Sequence, residues 1–251
     1  MKNAVWVTNK CERHRFQLQD LFFDVAGADN AQPRPGQGGS MELRTRLRHV
    51  LWIGGGTGAG KSSVATLLAD RHGLARYNYD WHDSRDHTER TRADRHPHRA
   101  AFLAMSLDER WILRTPRQMA DETIGGFRER FEMVIEDLLA MAVHPPVIAD
   151  GFGFLPDLVH AVIDSPRQAI FLLPTREFRV VALERRGWGS VEGTSDPGRA
   201  RENRLARDAL LTDHIRGRAE ALGLVSIKID GSRALVDIGA AVERHFAPHM
   251  P

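Results

Sequence analysis

Five short apolar runs, separated by longer stretches of helical periodicity, most constrain what this chain can become. They are HVLWI (49–53), LARYNY (74–79), PVIAD (146–150), QAIFLLP (168–174) and LVSIKID (224–230). Short runs with few polar interruptions mark strands buried on both faces, and strands that alternate with helices pair in parallel. Helices are expected near 61–72, 100–113, 116–122, 126–142, 155–163, 175–185, 200–222 and 232–246. The expected fold is therefore α/β, three layers around a five-stranded parallel sheet.

Residues 1–40 read differently. AVWV and HRFQLQDLFF can make a short strand and a short helix, but GADNAQPRPGQGGS (27–40) has linker composition and no apolar period. The folded unit is expected over 41–251, with 1–40 a loosely attached extension and Met41 a candidate alternative start. Cys11 is the only cysteine, which rules out an intrachain disulfide and suits a reducing compartment. No apolar run has the length of a membrane span, and the first residues lack a basic-then-apolar leader. A cytoplasmic protein without a membrane partner is expected. Lys and Arg (35) nearly balance Asp and Glu (33), which argues against the continuous basic groove that nucleic acid requires.

The segment after the first run is GGTGAGKS, which fits G-x-x-x-x-G-K-[ST] with Gly55, Gly60, Lys61 and Ser62 in register. An apolar strand precedes it and an amphipathic helix starts at Lys61, a context that separates it from a glycine-rich connector. Glycines let successive N–H groups turn inward around phosphate oxygens, and the helix start adds unsatisfied donors. The expected nucleotide-binding set is Gly55, Gly56, Thr57, Gly58, Ala59, Gly60, Lys61, Ser62 and Ser63. Lys61 would reach the β- and γ-phosphates, and Ser62 would ligate Mg²⁺. A nucleoside triphosphate is the expected ligand, since a dinucleotide fingerprint does not require the Lys-Ser pair. Asp150, emerging at the end of VIAD, would hold Mg²⁺ through water or orient an acceptor; a turn or capping aspartate is the alternative.

With GGTGAGKSS, the acid in YNYD, VIAD and the arginine-rich RARENRLARD in place, the chain resembles the small-molecule kinase branch of P-loop proteins. That branch includes nucleoside and nucleotide kinases, shikimate and gluconate kinases and antibiotic phosphotransferases. The resemblance covers about residues 48–247. It implies strand order 2-3-1-4-5 and ATP as phosphoryl donor. It also implies an acceptor seated between strand two, the P-loop and a helical insertion (about 80–130), and an arginine-bearing lid (about 184–207).

Asp80 stands where that family places an acid after strand two, to take the acceptor's proton or to orient its hydroxyl; Asp83, one turn on, competes for the role. Arg199, Arg204 and Arg207 are the lid residues expected to neutralise the transferred phosphoryl group, with Arg185 and Arg186 behind them. A salt-bridged surface helix is the alternative for each. His82, His87, His96 and His98 lack zinc-site spacing and are expected on a solvated, charge-laced surface, with Arg85 or Arg90 available to an anionic acceptor. Asp230 would border the nucleotide base or cap the last helix. The expected activity is ATP-dependent phosphoryl transfer to a small hydroxylated acceptor. An NTP hydrolase or nucleotide-gated switch with a protein partner is the alternative, and monomer or homodimer stays open.

Overall fold

The computed structural model describes residues 37–250. The strand and helix expected within 1–25, and Cys11, lie outside the described residues. Helix α1 (Gln37–Leu47) starts inside the stretch of linker composition and carries Leu43 and Leu47 into the core. Strand β1 (Val50–Gly55) follows, then helix α2 (Lys61–His72) and strand β2 (Ala75–Asn78). The insertion comprises α3 (Tyr79–Asp83), α4 (Asp86–Glu89), α5 (Pro97–Ala104), α6 (Leu107–Trp111) and α7 (Pro116–Ala140). Strand β3 (Val147–Asp150), α8 (Pro156–His160) and β4 (Ala169–Pro174) complete the centre. Helices α9 (Arg176–Arg186) and α10 (Pro197–Ala221), strand β5 (Val225–Ile229) and α11 (Leu235–Phe246) close the fold.

The sheet is wholly parallel in the order β2-β3-β1-β4-β5, as expected. Alternation along each strand divides the core in two. Val50 and Trp52 of β1 face the layer of α1, α7, α8 and α10, while Leu51 and Ile53 face α2 and α11. Trp52 is fully buried, 5.1 Å edge-on from Phe154 and 6.0 Å from Phe131. Trp52→Ala is expected to cost about 3–5 kcal/mol, from lost transfer energy plus the cavity left behind. A stability loss of less than about 1 kcal/mol in urea denaturation would show that the centre repacks.

The edges depart from the expectation of uniformly covered strands. β1, β3 and β4 are buried along their whole lengths, whereas Val225 in β5 is 43% exposed and β2 is only partly covered. An edge strand has one paired neighbour, so less of its surface is shielded.

The helical insertion also differs in its breaks. The expected helix at 100–113 is two pieces, because Ser106 and Glu109 form a capping box that starts α6 afresh. The two helices expected at 116–122 and 126–142 are one. Gly125 and Gly126 stay helical because α5 packs against them: a Cβ at Gly125 would stand 2.8 Å from the His98 ring. Two internal glycines weaken the helix by roughly 1 kcal/mol each, which burial of Phe127, Phe131, Val134, Ile135 and Leu138 offsets. The helix expected at 155–163 is limited to α8.

The solvated histidine surface is corrected in part. His87 and His96 are buried, each against a carboxylate of α7: His87 Nε2 lies 2.7 Å from Asp137 and His96 Nε2 lies 3.2 Å from Glu132. The hydroxyl of Tyr77 donates to Asp137 at 2.9 Å, and Arg90 donates to Asp137 at 2.8 Å and to Glu136. Arg90 is thus committed to tying the insertion down. No group of metal-ligating side chains occurs among the described residues, and no described helix is long and apolar enough to cross a membrane.

Candidate functional site

All five strands end at the same edge of the sheet, and the glycine loop leaves β1 there. Gly55 has φ +120°, and a Cβ on it would stand 2.1 Å from the carbonyl oxygen of Leu172. No other residue fits between β1 and β4 at that point. The amide of Gly56 donates to the same oxygen at 2.9 Å, fixing the loop's departure. Gly60, at φ +81°, turns the chain into α2 with no side chain capping it. The first satisfied amide of α2 is that of Val64, which donates to Gly60 at 3.0 Å. The amides of Lys61, Ser62 and Ser63 stand in the turn where helix donors have no intrahelical acceptor. Residues 57–63 line a cavity of about 420 Å³, joined by Asp80, Phe152, Arg186, Arg204 and Arg207.

Lys61 is 6% exposed, and its ammonium donates to the Gly56 carbonyl at 2.9 Å. Burial pushes it below the ordinary lysine range, while the negative charges of Asp80 and Asp150 act the other way. Beside it, the Ser62 hydroxyl donates to Asp150 Oδ2 at 2.6 Å. Asp150 is fully buried at the end of β3, and burial pushes its carboxyl upward against the Ser62 hydrogen bond and the Arg76 charge. Its Oδ1 has no hydrogen-bond partner among the described residues; Arg76 Nη2 stands 3.6 Å away. The pairing of β1 with β3 and β3 with β2 brings Ser62, Asn78 and Asp150 together.

Asp80 and Asp83 separate clearly. Asp80 is exposed on the cavity wall, and its Oδ1 accepts the Phe152 amide at 3.1 Å. Asp83 faces away from that cavity, held by Arg130 at 2.7 Å, by Arg99 at 3.4 Å and by the Tyr79 hydroxyl at 3.2 Å. Burial pushes the Tyr79 phenol above its ordinary range.

The arginines divide as well. Arg204 and Arg207 share one face of α10, and both guanidinium groups lie over Trp111, at 5.7 and 5.0 Å. Arg207 Nε donates to Asp208 at 2.9 Å, and Arg204 donates to the Trp188 carbonyl. Arg199 is exposed in the first turn of α10, where its amide donates to Asp196 at 3.0 Å, and it does not line the cavity. Arg186 does; neither Arg85 nor Arg90 lines it. Trp111, Ile112 and Met119 from the insertion join Val191 and Ala200, from the connection between α9 and α10 and the start of α10, in a small third core. Asp230 caps neither the last helix, whose N-cap is Ala234, nor the cavity; it accepts from Ser232 N at 3.0 Å and Oγ at 2.6 Å.

Two residues escaped the sequence reading. Asn78 donates to Asp150 at 2.9 Å and caps α3 by accepting the Trp81 amide at 2.8 Å. Arg179, 1% exposed, donates to the Thr57 carbonyl at 3.4 Å and to Thr212 at 2.5 Å, bracing the loop from behind. An asparagine after a short strand was the only local signal for the first. The second had none, because its partners lie 122 and 33 residues away.

Neither a family model nor a curated protein matches this chain. Among solved structures, an uncharacterized protein from Eubacterium ventriosum is similar at 14% identity and a TM-score of 0.38. The match covers 79% of this chain and 98% of that one, and at this level the likeness carries neither fold nor function across.

Proposed function

We propose that the protein is an ATP-dependent phosphotransferase that moves the γ-phosphoryl group to a hydroxyl or phosphate of a small acceptor. One observation carries this reading: a buried lysine, a serine hydrogen-bonded to the buried Asp150 and three arginines meet an exposed aspartate around one cavity at the strand ends. The uncapped start of α2 and the glycine loop supply amide donors for phosphate oxygens. Lys61 then lies where it can exchange its Gly56 partner for the β- and γ-phosphates. Arg186, Arg204 and Arg207 supply positive charge where the transferred group gathers negative charge.

The Ser62 hydroxyl and the Asp150 carboxylate are hard oxygen ligands suited to a divalent cation, and the buried Oδ1 of Asp150 accepts no hydrogen bond from the described residues, with Arg76 at 3.6 Å and the Asn78 amide held on Oδ2. Ser62 would bind Mg²⁺ directly and Asp150 would hold it through water; the metal supplies charge neutralisation at the β- and γ-phosphates. Asp80 accepts the acceptor's hydroxyl proton as the new O–P bond forms. The bond from the γ-phosphorus to its bridging oxygen breaks, and ADP leaves with that electron pair.

Purified protein with labelled ATP and Mg²⁺ tests this against pooled hydroxylated metabolites. A labelled, acceptor-dependent product is expected. Acceptor-independent hydrolysis without any product would instead favour a nucleotide hydrolase or switch that acts with a protein partner.

A further inference from the structure

A second pocket, of about 160 Å³, adjoins the phosphate cavity and shares Phe152 and Arg207 with it. Its other polar walls are Arg99, Arg114 and Arg130, faced by Asp83 and Glu122, with Phe102 and Phe127 forming apolar sides. We infer that this pocket seats the phosphoryl acceptor, and that the acceptor is a small molecule carrying a carboxylate or phosphate group. The inference rests on the phosphotransferase reading and deepens it.

Charge is the first reason. The four guanidinium groups are largely withdrawn from water: the side chains of Arg130, Arg207, Arg99 and Arg114 are 5, 10, 12 and 15% exposed. Asp83 serves both Arg130 and Arg99, Glu122 serves Arg114, and Asp208 holds Arg207 from outside the pocket. His98, also in the wall, is occupied by Glu129. Among the described residues four cations therefore share three carboxylates, and a charge left without a full partner away from water is costly. An anionic group supplies the missing partner.

Hydrogen bonding is the second. Arg99 Nη2 donates to Thr88 Oγ1 at 2.8 Å and to the Asp83 carbonyl at 3.0 Å, but its Nε is buried without a partner among the described residues. Guanidinium donors in a fixed fork match the two oxygens of a carboxylate or phosphate.

Size is the third. At about 160 Å³ the pocket is well under half the size of the phosphate cavity, about 420 Å³, which favours an acceptor with a short carbon skeleton over one the size of a nucleotide. Position is the fourth: a molecule anchored on Arg99 and Arg130 is separated from Asp80 by the Phe152 segment, whose amide Asp80 itself holds. The hydroxyl end then points past Phe152 toward the phosphate cavity.

Wild-type protein tests this in two readouts, phosphoryl transfer and direct calorimetric binding. The probes are small hydroxy carboxylates, small sugar phosphates, size-matched neutral polyols, and AMP. Transfer to, or saturable binding of, the carboxylate or phosphate arm with neutral polyols inert is expected, and which arm responds identifies the anion. In Arg99→Gln the acceptor KM or Kd should rise about 10- to 100-fold, with Arg99→Lys intermediate. Thermal melts identify a variant that fails to fold, and Arg114→Gln then reads the same pocket. Neutral polyols or AMP serving as well as the anions would overturn the inference while leaving a phosphotransferase. Anion binding sensitive to Arg99 but without transfer would keep the pocket and remove the phosphotransferase. Absence of both binding and transfer with either anionic arm would overturn the inference.

Discussion

Lys61→Ala is expected to lower the rate of phosphoryl transfer by at least about 10²–10³-fold, the loss typical of removing one preorganised charge-stabilising donor. The fold should survive. Among the described residues the Lys61 side chain makes one hydrogen bond, to the Gly56 carbonyl, and its ammonium is held in a place that burial makes unfavourable for charge. Losing that bond costs about 1 kcal/mol, and losing a desolvated charge works in the opposite sense. A circular dichroism melt close to the parent's, together with near-complete loss of transfer, is the expected pair of results. Transfer within tenfold of the parent would remove the phosphate role from this loop.

The second large effect separates the two aspartates of α3. Asp80→Asn should lower kcat by about 10²–10⁴-fold, the range of a lost general base, with the ATP Kd nearly unchanged. Asp80 accepts one amide hydrogen bond, and the asparagine oxygen can keep it, so stability should change little. Asp83→Asn should behave differently, because Asp83 is the shared partner of Arg130 and Arg99. Neutralising it strands largely buried guanidinium groups and should destabilise the protein by about 3 kcal/mol. Urea denaturation and steady-state kinetics on both variants read this out. An Asp83→Asn protein of normal stability and negligible kcat, beside an active Asp80→Asn, would move the base one turn along the helix.

The contrast between these aspartates also shows where sequence reading stops. Three residues apart, both are acidic, both follow β2, and spacing alone leaves them as rivals. What divides them is Arg130, 47 residues downstream of Asp83 on α7. The glycine loop had no such rival: Gly55 to Ser62 is a contiguous signal, and each residue type answers a local demand of backbone space or donor placement. The arginines of α10 lie between these cases. That Arg204 and Arg207 share a face follows from helical phase, but that this face meets Trp111 and the cavity follows only from packing. Arg199, five residues earlier, sits in solvent on the same helix.

The sequence by itself determined the strand–loop–helix at 50–72, the parallel sheet and its buried centre, and the acid at the end of β3. These depend on periodicity and on contacts between chain neighbours. Only the tertiary structure decided that Asn78 and Arg179 support the loop, that His87 and His96 are buried against α7, and that four arginines surround a second pocket. Each of those rests on partners tens of residues apart, whose approach is set by the layering of helices on the sheet. Charge and hydrogen-bonding capacity are written in the residues; which charges meet is settled when the layers close.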